Sequence, residues 1–155
     1  MALTRKKFLI AKEETTYGTD PTPVGGSDSI QVTNLEVAPI ESDNVQAAAV
    51  QGFIGNSTRG TLVANKRVSV TFDVELAGSG TAGTAPAFGP LLKAAGLSET
   101  LVADASATYA PVSSSFDSVT IYCFYDGTRH VLTGCRGSVS FNFVAGQFAV
   151  ASFTF

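Results

Sequence analysis

From Arg67 to Leu76 the chain alternates without interruption: Val68, Val70, Phe72, Val74 and Leu76 fall on one side, Ser69, Thr71, Asp73 and Glu75 on the other. A repeat of two residues belongs to a pleated strand and is incompatible with a helix, whose faces recur every three to four residues. This strand has one face for a core and one for water or a polar interface. The same period marks strands at residues 7–13, 29–37, 107–112, 118–125, 128–144 and 148–155, the run from 128 bending near Gly134 or Gly137. One segment, residues 85–95, reads differently. Thr84 is placed to cap it, Pro86 suits a first turn, Leu91, Leu92 and Ala95 form a short apolar stripe, and Gly96 sits where a left-handed residue ends a helix. Pro90 inside this window lets the ordered helix begin only near Phe88. The predicted class is all-β with one short α-helix.

Asp126-Gly127, between Ile-Tyr-Cys-Phe-Tyr and Arg-His-Val-Leu, signals a two-residue hairpin turn. It sets Cys123 opposite His130 and Cys135 opposite Ser118, too far out of register for a disulfide. Both cysteines are therefore expected to be free thiols of a reducing compartment. A closing hairpin turns at Ala145-Gly146. A two-residue turn there faces Phe143 with Phe148 and Phe141 with Val150, whereas one bulge shifts Phe153 and Phe155 relative to them; both registers stay open.

The chain has 155 residues, enough for one domain over 1–155 with a core that needs no staple. Hydrophobic residues make up 45% but charged residues only 15%, against about 25% in an ordinary soluble domain. Either partners cover much of the exterior, or serine and threonine hydroxyls replace charge on it. The net charge of −3 argues against a sequence-reading nucleic-acid binder, which needs a basic face. No apolar run is long enough to span a membrane. Phe8 to Ala11, after Arg5-Lys6-Lys7, is too short for the apolar region of a signal peptide, so export by that route is not expected. Residues 78–84 form a glycine-rich flexible connector. Residues 40–65 are small and polar but hold Phe53 and Ile54, which a merely solvated loop does not favour. A loop of that length has a task or is disordered. It reads as a projecting arm that orders against a neighbour, or as a mobile loop.

Chemistry is scarce. The single histidine, His130, stands beside a hairpin turn with no nucleophile or orienting carboxylate placed near it by any motif. Two cysteines and one histidine at these spacings do not make a zinc site. Gly78-Ser79-Gly80 lacks the Gly-Lys-Ser/Thr ending of a phosphate loop. The acid pairs Glu13-Glu14 and Asp73/Glu75 read as solvated faces with an electrostatic role at most. No enzyme and no cofactor are expected.

Residues Lys12-Glu13-Glu14-Thr15-Thr16-Tyr17-Gly18-Thr19-Asp20-Pro21 make a proline-pinned polar joint after the first strand. They resemble the opening of the major tail tube proteins of long-tailed (siphovirus-type) bacteriophages, in which a lysine-glutamate strand end runs into Tyr-Gly-Thr-x-Pro. The layout of the rest is similar too: a polar strand, a long loop, an alternating strand, one short helix, then Gly137-Ser-Val-Ser-Phe-Asn-Phe and Ala149-Val-Ala-Ser-Phe-Thr-Phe.

That resemblance implies a β-sandwich-like or barrel-like tail tube domain that gives strands to an oligomeric β-barrel. Hexameric rings stack into a tube in the virion tail, assembled in the host cytoplasm, with other tail proteins at its ends and double-stranded DNA passing through without specific binding. About 24 strands spaced ~4.8 Å and tilted ~40° give a backbone diameter of about 48 Å and a bore near 40 Å, wide enough for a duplex. Under this reading Glu13, Glu14, Asp73 and Glu75 are the candidates to line the bore, where acids and hydroxyls keep DNA off the wall. Tyr17, Phe53, Ile54 and Arg59 are the candidate contacts between subunits. Two other readings compete. A tail terminator or head-to-tail joining ring shares the architecture but needs no stacking arm. A monomeric β-sandwich binding carbohydrate or a cell surface needs exposed aromatics on one face, and the chain has no tryptophan.

Overall fold

Residues 119–125, Val-Thr-Ile-Tyr-Cys-Phe-Tyr, carry no charge, and the first five are buried whichever way they point. A strand buried on both faces belongs inside a sheet that is itself covered. The computed structural model, which describes residues 6–46 and 61–155, places it there. In chain order the elements are β1 (Lys7–Glu13), β2 (Ser29–Ile30), β3 (Thr33–Val45), β4 (Leu62–Glu75), α1 (Gly89–Ala94), β5 (Leu97–Val102), β6 (Ser106–Pro111), β7 (Val119–Tyr125), β8 (Thr128–Cys135), β9 (Ser138–Asn142) and β10 (Val150–Thr154). The first sheet runs β2-β1-β7-β8, the second β3-β4-β10-β9, and β5-β6 form a separate ribbon. The fold is all-β with one short helix.

Contacts divide the chain into two compact units, residues 1–36 with 71–155, and residues 37–70. In the larger unit Leu9, Ile121, Cys123, Phe72, Phe153 and Leu91 are almost fully buried. Helix α1 packs against β1 and β7 and buries Leu91 and Leu92. It is shorter than the 85–95 window because Pro90 occupies its first turn, as the sequence allowed, and Gly96 at φ 90° ends it. A Cβ on Gly89, at its start, would lie 2.8 Å from the Tyr109 hydroxyl and 3.0 Å from Glu99 Oε2, so a side chain there requires both of those ends to shift.

Turn chemistry explains the first sheet. Asp126 and Gly127 both have positive φ, 42° and 90°, the type I′ geometry that matches strand twist. Cys123 pairs with His130 as expected. Farther along, Ile121 faces Leu132 but Val119 faces Cys135, so β8 holds one extra residue. This bulge, with Gly134 at φ 66°, moves Cys135 opposite Val119 rather than Ser118. Both cysteines are free.

Elsewhere the boundaries moved. The expected strand over 29–37 is two strands in different sheets, β2 on β1 and β3 beside β4. The run over 128–144 breaks after Cys135 into β8 and β9, at the predicted bend. Strand β5, Leu-Ser-Glu-Thr-Leu-Val, went unread because no residue in it is fully buried and it carries no core stripe. In the closing hairpin Phe141 faces Ala151 and Val139 faces Phe153, one residue off the two-residue-turn register. The turn is centred on Ala145-Gly146 as read, with the Gln147 N–H donating to the Val144 carbonyl, but the strands resume only at Val150.

In the smaller unit β3 and β4 are antiparallel partners. Arg67 Nε donates to Glu41 at 3.0 Å, Ser69 Oγ to Glu41 at 2.8 Å, and Asn65 Nδ2 to Asp43 at 3.0 Å. Both strands run into the 40–65 stretch expected as a loop or arm, β3 as far as Val45 and β4 from Leu62; Phe53, Ile54 and Arg59 lie outside the described residues.

Candidate assembly surfaces on the second sheet

Register sorts the second sheet into cross-strand rows. One face carries Asn142–Val150–Glu75, Ser140–Ser152–Asp73 and Ser138–Thr154–Thr71, read from β9 through β10 to β4. The opposite face carries Phe141–Ala151–Val74 and Val139–Phe153–Phe72. Ala151, Phe153, Val74 and Phe72 of that second face are buried, and Phe72, Phe153 and Phe155 stack with centroids 5.6–6.0 Å apart. The first face is therefore hydroxyls, one amide, two carboxylates and one valine, with no cation in its three rows. A period of two alone produces this separation.

Asp73 is the best-held acid of that face. Asn34 Nδ2 donates to one carboxylate oxygen at 2.8 Å and Ser152 Oγ to the other. Glu75, at the end of its row, is exposed. The other predicted pair lies elsewhere. Glu13 binds Lys93 Nζ at 2.6 Å, and Asp117 approaches the same ammonium at 3.5 Å.

Glu14 is buried. Its carboxylate accepts from the Gly18 N–H at 2.8 Å, the Gly134 N–H at 2.7 Å, Ser118 Oγ at 2.6 Å and Thr120 Oγ1. Burial pushes this carboxyl up, but the Gly134, Ser118, Thr120 and Gly18 bonds outweigh it and hold the group below its ordinary range. The bulge in β8 is what turns the Gly134 N–H toward it. Sequence reasoning grouped Glu14 with the solvated acids; the overlooked signal was Ser118 and Thr120, two hydroxyls in an otherwise apolar strand. Tyr17 is 65% exposed, and its ring lies under the Arg136 guanidinium at 4.6 Å and against Gly134.

Among the described residues, no strand pairs with the outer side of β9. Strand β9, Ser-Val-Ser-Phe-Asn, has no charge, no proline and no irregularity in its pairing with β10. Phe141 is half exposed and stacks on Phe143, which is more exposed still. His130 lies edge-on to Tyr125. Burial pushes the Cys123 and Cys135 thiols up to about 12, keeping both protonated at neutral pH. No helix among the described residues is long and apolar enough to cross a membrane.

No curated protein and no solved structure matches the chain. A family described as phage tail tube protein does, over residues 4–155. That span takes in both sheets, the helix and the N-terminal joint, and the chain belongs to the phage tail tube protein family.

Proposed function

We propose that the subunit forms closed hexameric rings that stack into the tail tube, and that the hydroxyl-and-carboxylate face of the second sheet lines the bore through which DNA leaves. The observation that carries this reading is the division of that sheet into a buried aromatic face and a hydroxyl-and-carboxylate face, on strands that end, among the described residues, at the regular edge strand β9. As a structural component of the virion tail, the protein needs a wall rather than an active site.

The second sheet has four strands, with β3 and β9 at its edges. Strands β4, β10 and β9 alternate in direction, and the Arg67–Glu41 and Asn65–Asp43 pairs make β3 antiparallel to β4. The two edge strands thus point opposite ways. Laying β9 of one copy against β3 of the next gives antiparallel pairing with no reversal of the subunit. Repetition of such a head-to-tail contact closes a ring when the rotation permits. Hexameric closure gives about 24 strands and a bore near 40 Å. Asp73 and Glu75 are then the lumen acids. Glu14 is not among them, because its carboxylate is buried and committed, and Glu13 is held by Lys93. A wall on which hydroxyls and carboxylates predominate and Arg67 is paired with Glu41 gives DNA few cationic contacts, so it releases few counterions and adds little affinity.

Negative-stain microscopy of the purified chain separates the readings: tubes of uniform width support this one, single closed rings a terminator or joining ring, monomers neither. Exchanging Asp73 and Glu75 for lysine should leave tubes intact and slow DNA ejection several-fold. Unchanged ejection kinetics would remove these residues from the bore.

A further inference from the structure

We infer that an apolar pocket beside α1 receives Phe143 and Phe148 of the neighbouring copy in the same ring; this deepens the ring reading above and rests on it. The pocket holds about 510 Å³, within the size range of built binding sites. Leu76, Pro86, Phe88, Leu92, Ala107 and Tyr109 line it, and residues 77–84 form one wall. Two of its polar side chains are already bonded inside the chain. Tyr109 donates its hydroxyl to Glu99, and Ser79 Oγ lies 2.9 Å from the Thr81 and Thr84 carbonyls. Among the described residues no buried side-chain polar atom lacks a partner. The lining side chains therefore have little left for a hydrogen-bonding ligand, and the pocket suits a hydrocarbon ring.

Strand register gives the occupant. The loop between β9 and β10, Phe-Val-Ala-Gly-Gln-Phe-Ala, has no charged residue, and Phe143 is 71% exposed and Phe148 79%. A loop tip that served only as a turn would be polar. Phe143 follows Phe141 by two residues and stacks on it, which sets its ring on the apolar side of the second sheet. Leu76 continues Phe72 and Val74 toward that same side, and its N–H donates to the Ala149 carbonyl at 2.9 Å. Loop and pocket therefore stand at one rim of the sheet. Rotation about a ring axis keeps the loop of every copy at that height. With β9 of one copy laid against β3 of the next, the visiting loop meets the start of β3, where Asn34 binds Asp73. Only the lane of β3 then separates it from β4 and Leu76, two strand spacings or about 10 Å. A loop bearing two phenyl rings spans that gap. The chain's own loop lies on the other side of Leu76 and leaves both of its rings exposed. A second copy of this chain thus supplies rings that need cover to a pocket that lacks a filling.

The test attacks the contact from both sides in the full-length chain, with folding checked by circular dichroism. Ala107→Trp fills the pocket, and Phe143→Ser/Phe148→Ser removes the rings. Each should raise the protein concentration needed for ring formation about tenfold or more, while Phe143→Leu/Phe148→Leu returns it toward wild type, since leucine restores apolar area. Either folded variant forming rings at the wild-type concentration overturns the inference and leaves the ring reading standing. Absence of rings from wild type sinks that reading, and this inference with it. A cross-link decides the matter should a variant fail to fold. Ala107→Cys with Phe148→Cys, treated with a short bis-maleimide after assembly, should give a ladder on a denaturing gel that stops at the number of copies in one ring and is absent from either single variant. A ladder running past one ring marks an axial contact, and monomer alone marks no contact or a link to the chain's own loop; each overturns the assignment.

Discussion

The edges of the first sheet offer little to a neighbouring strand. Strand β2 is two residues long, and β8 bulges around Gly134 and Cys135 and carries Arg129. Short, bulged and charged edges are how β proteins avoid unwanted pairing. At the far side of the second sheet, β9 is regular, uncharged and flanked by the exposed rings of Phe141 and Phe143. Both sheets have four antiparallel-type strands and a buried apolar face. They differ in the length, regularity and charge of the edge strands β2, β8 and β9. The first sheet ends in irregularities that repel addition, and the second stops where addition is favourable.

The strongest way to break this contrast is a charge on each edge. Phe141→Lys, at the border of the apolar face, should abolish assembly and leave a folded monomer by sedimentation and circular dichroism. Val131→Lys on β8, also exposed, should assemble like wild type. Equal effects of the two lysines would erase the distinction between the edges.

Next in size is the internal anchor of the first sheet. Glu14→Gln places an amide donor among two N–H groups and two hydroxyls and removes a charge that four bonds stabilise. The expected loss is about 2–3 kcal/mol, roughly 5–10 °C in melting temperature. The acid dependence has a definite sign. A carboxyl held lower in the folded than in the unfolded chain adds stability above its unfolded value of about 4.3. That stability disappears as pH falls through the folded value. Wild type should therefore lose melting temperature below about pH 4.3 more steeply than Glu14→Gln. Parallel curves would show that the Glu14 cluster stabilises nothing. Because the cluster belongs to the first sheet, a variant that still folds should assemble normally.

The smallest effect expected is on thiol chemistry. With both thiols pushed up to about 12, iodoacetamide at neutral pH should leave Cys123 and Cys135 unmodified by mass spectrometry, alike in subunits and tubes. Rapid modification of Cys123 would mean that the first sheet opens.

Much of this was legible beforehand because it depends on neighbours in sequence. The alternation at 67–76 became the paired end of β4, Asp126-Gly127 became a type I′ turn, and Pro90 set the start of α1. Val68 at the outer end of that stripe is nonetheless exposed. The bulge in β8 was not legible: Thr-Gly-Cys-Arg-Gly fits several paths, and the extra residue is fixed by the Gly134 N–H reaching the Glu14 carboxylate. Nor was the role of Glu14, whose hydroxyl partners lie more than 100 residues away. Local pattern assigned it to solvent because acids usually go there.

Periodicity, turn residues and composition by themselves determined an all-β chain with one brief helix, free thiols, a polar strand face beside an apolar one, and a resemblance to tail tube proteins. These are properties of side-chain order along a strand, which folding does not alter. Tertiary structure alone decided which acids face outward, which strand is left at an edge, and that one residue of slip sets Phe141 over Ala151 instead of Val150. Each of those depends on hydrogen bonds between distant segments, and in a sheet a single displaced residue exchanges one face for the other.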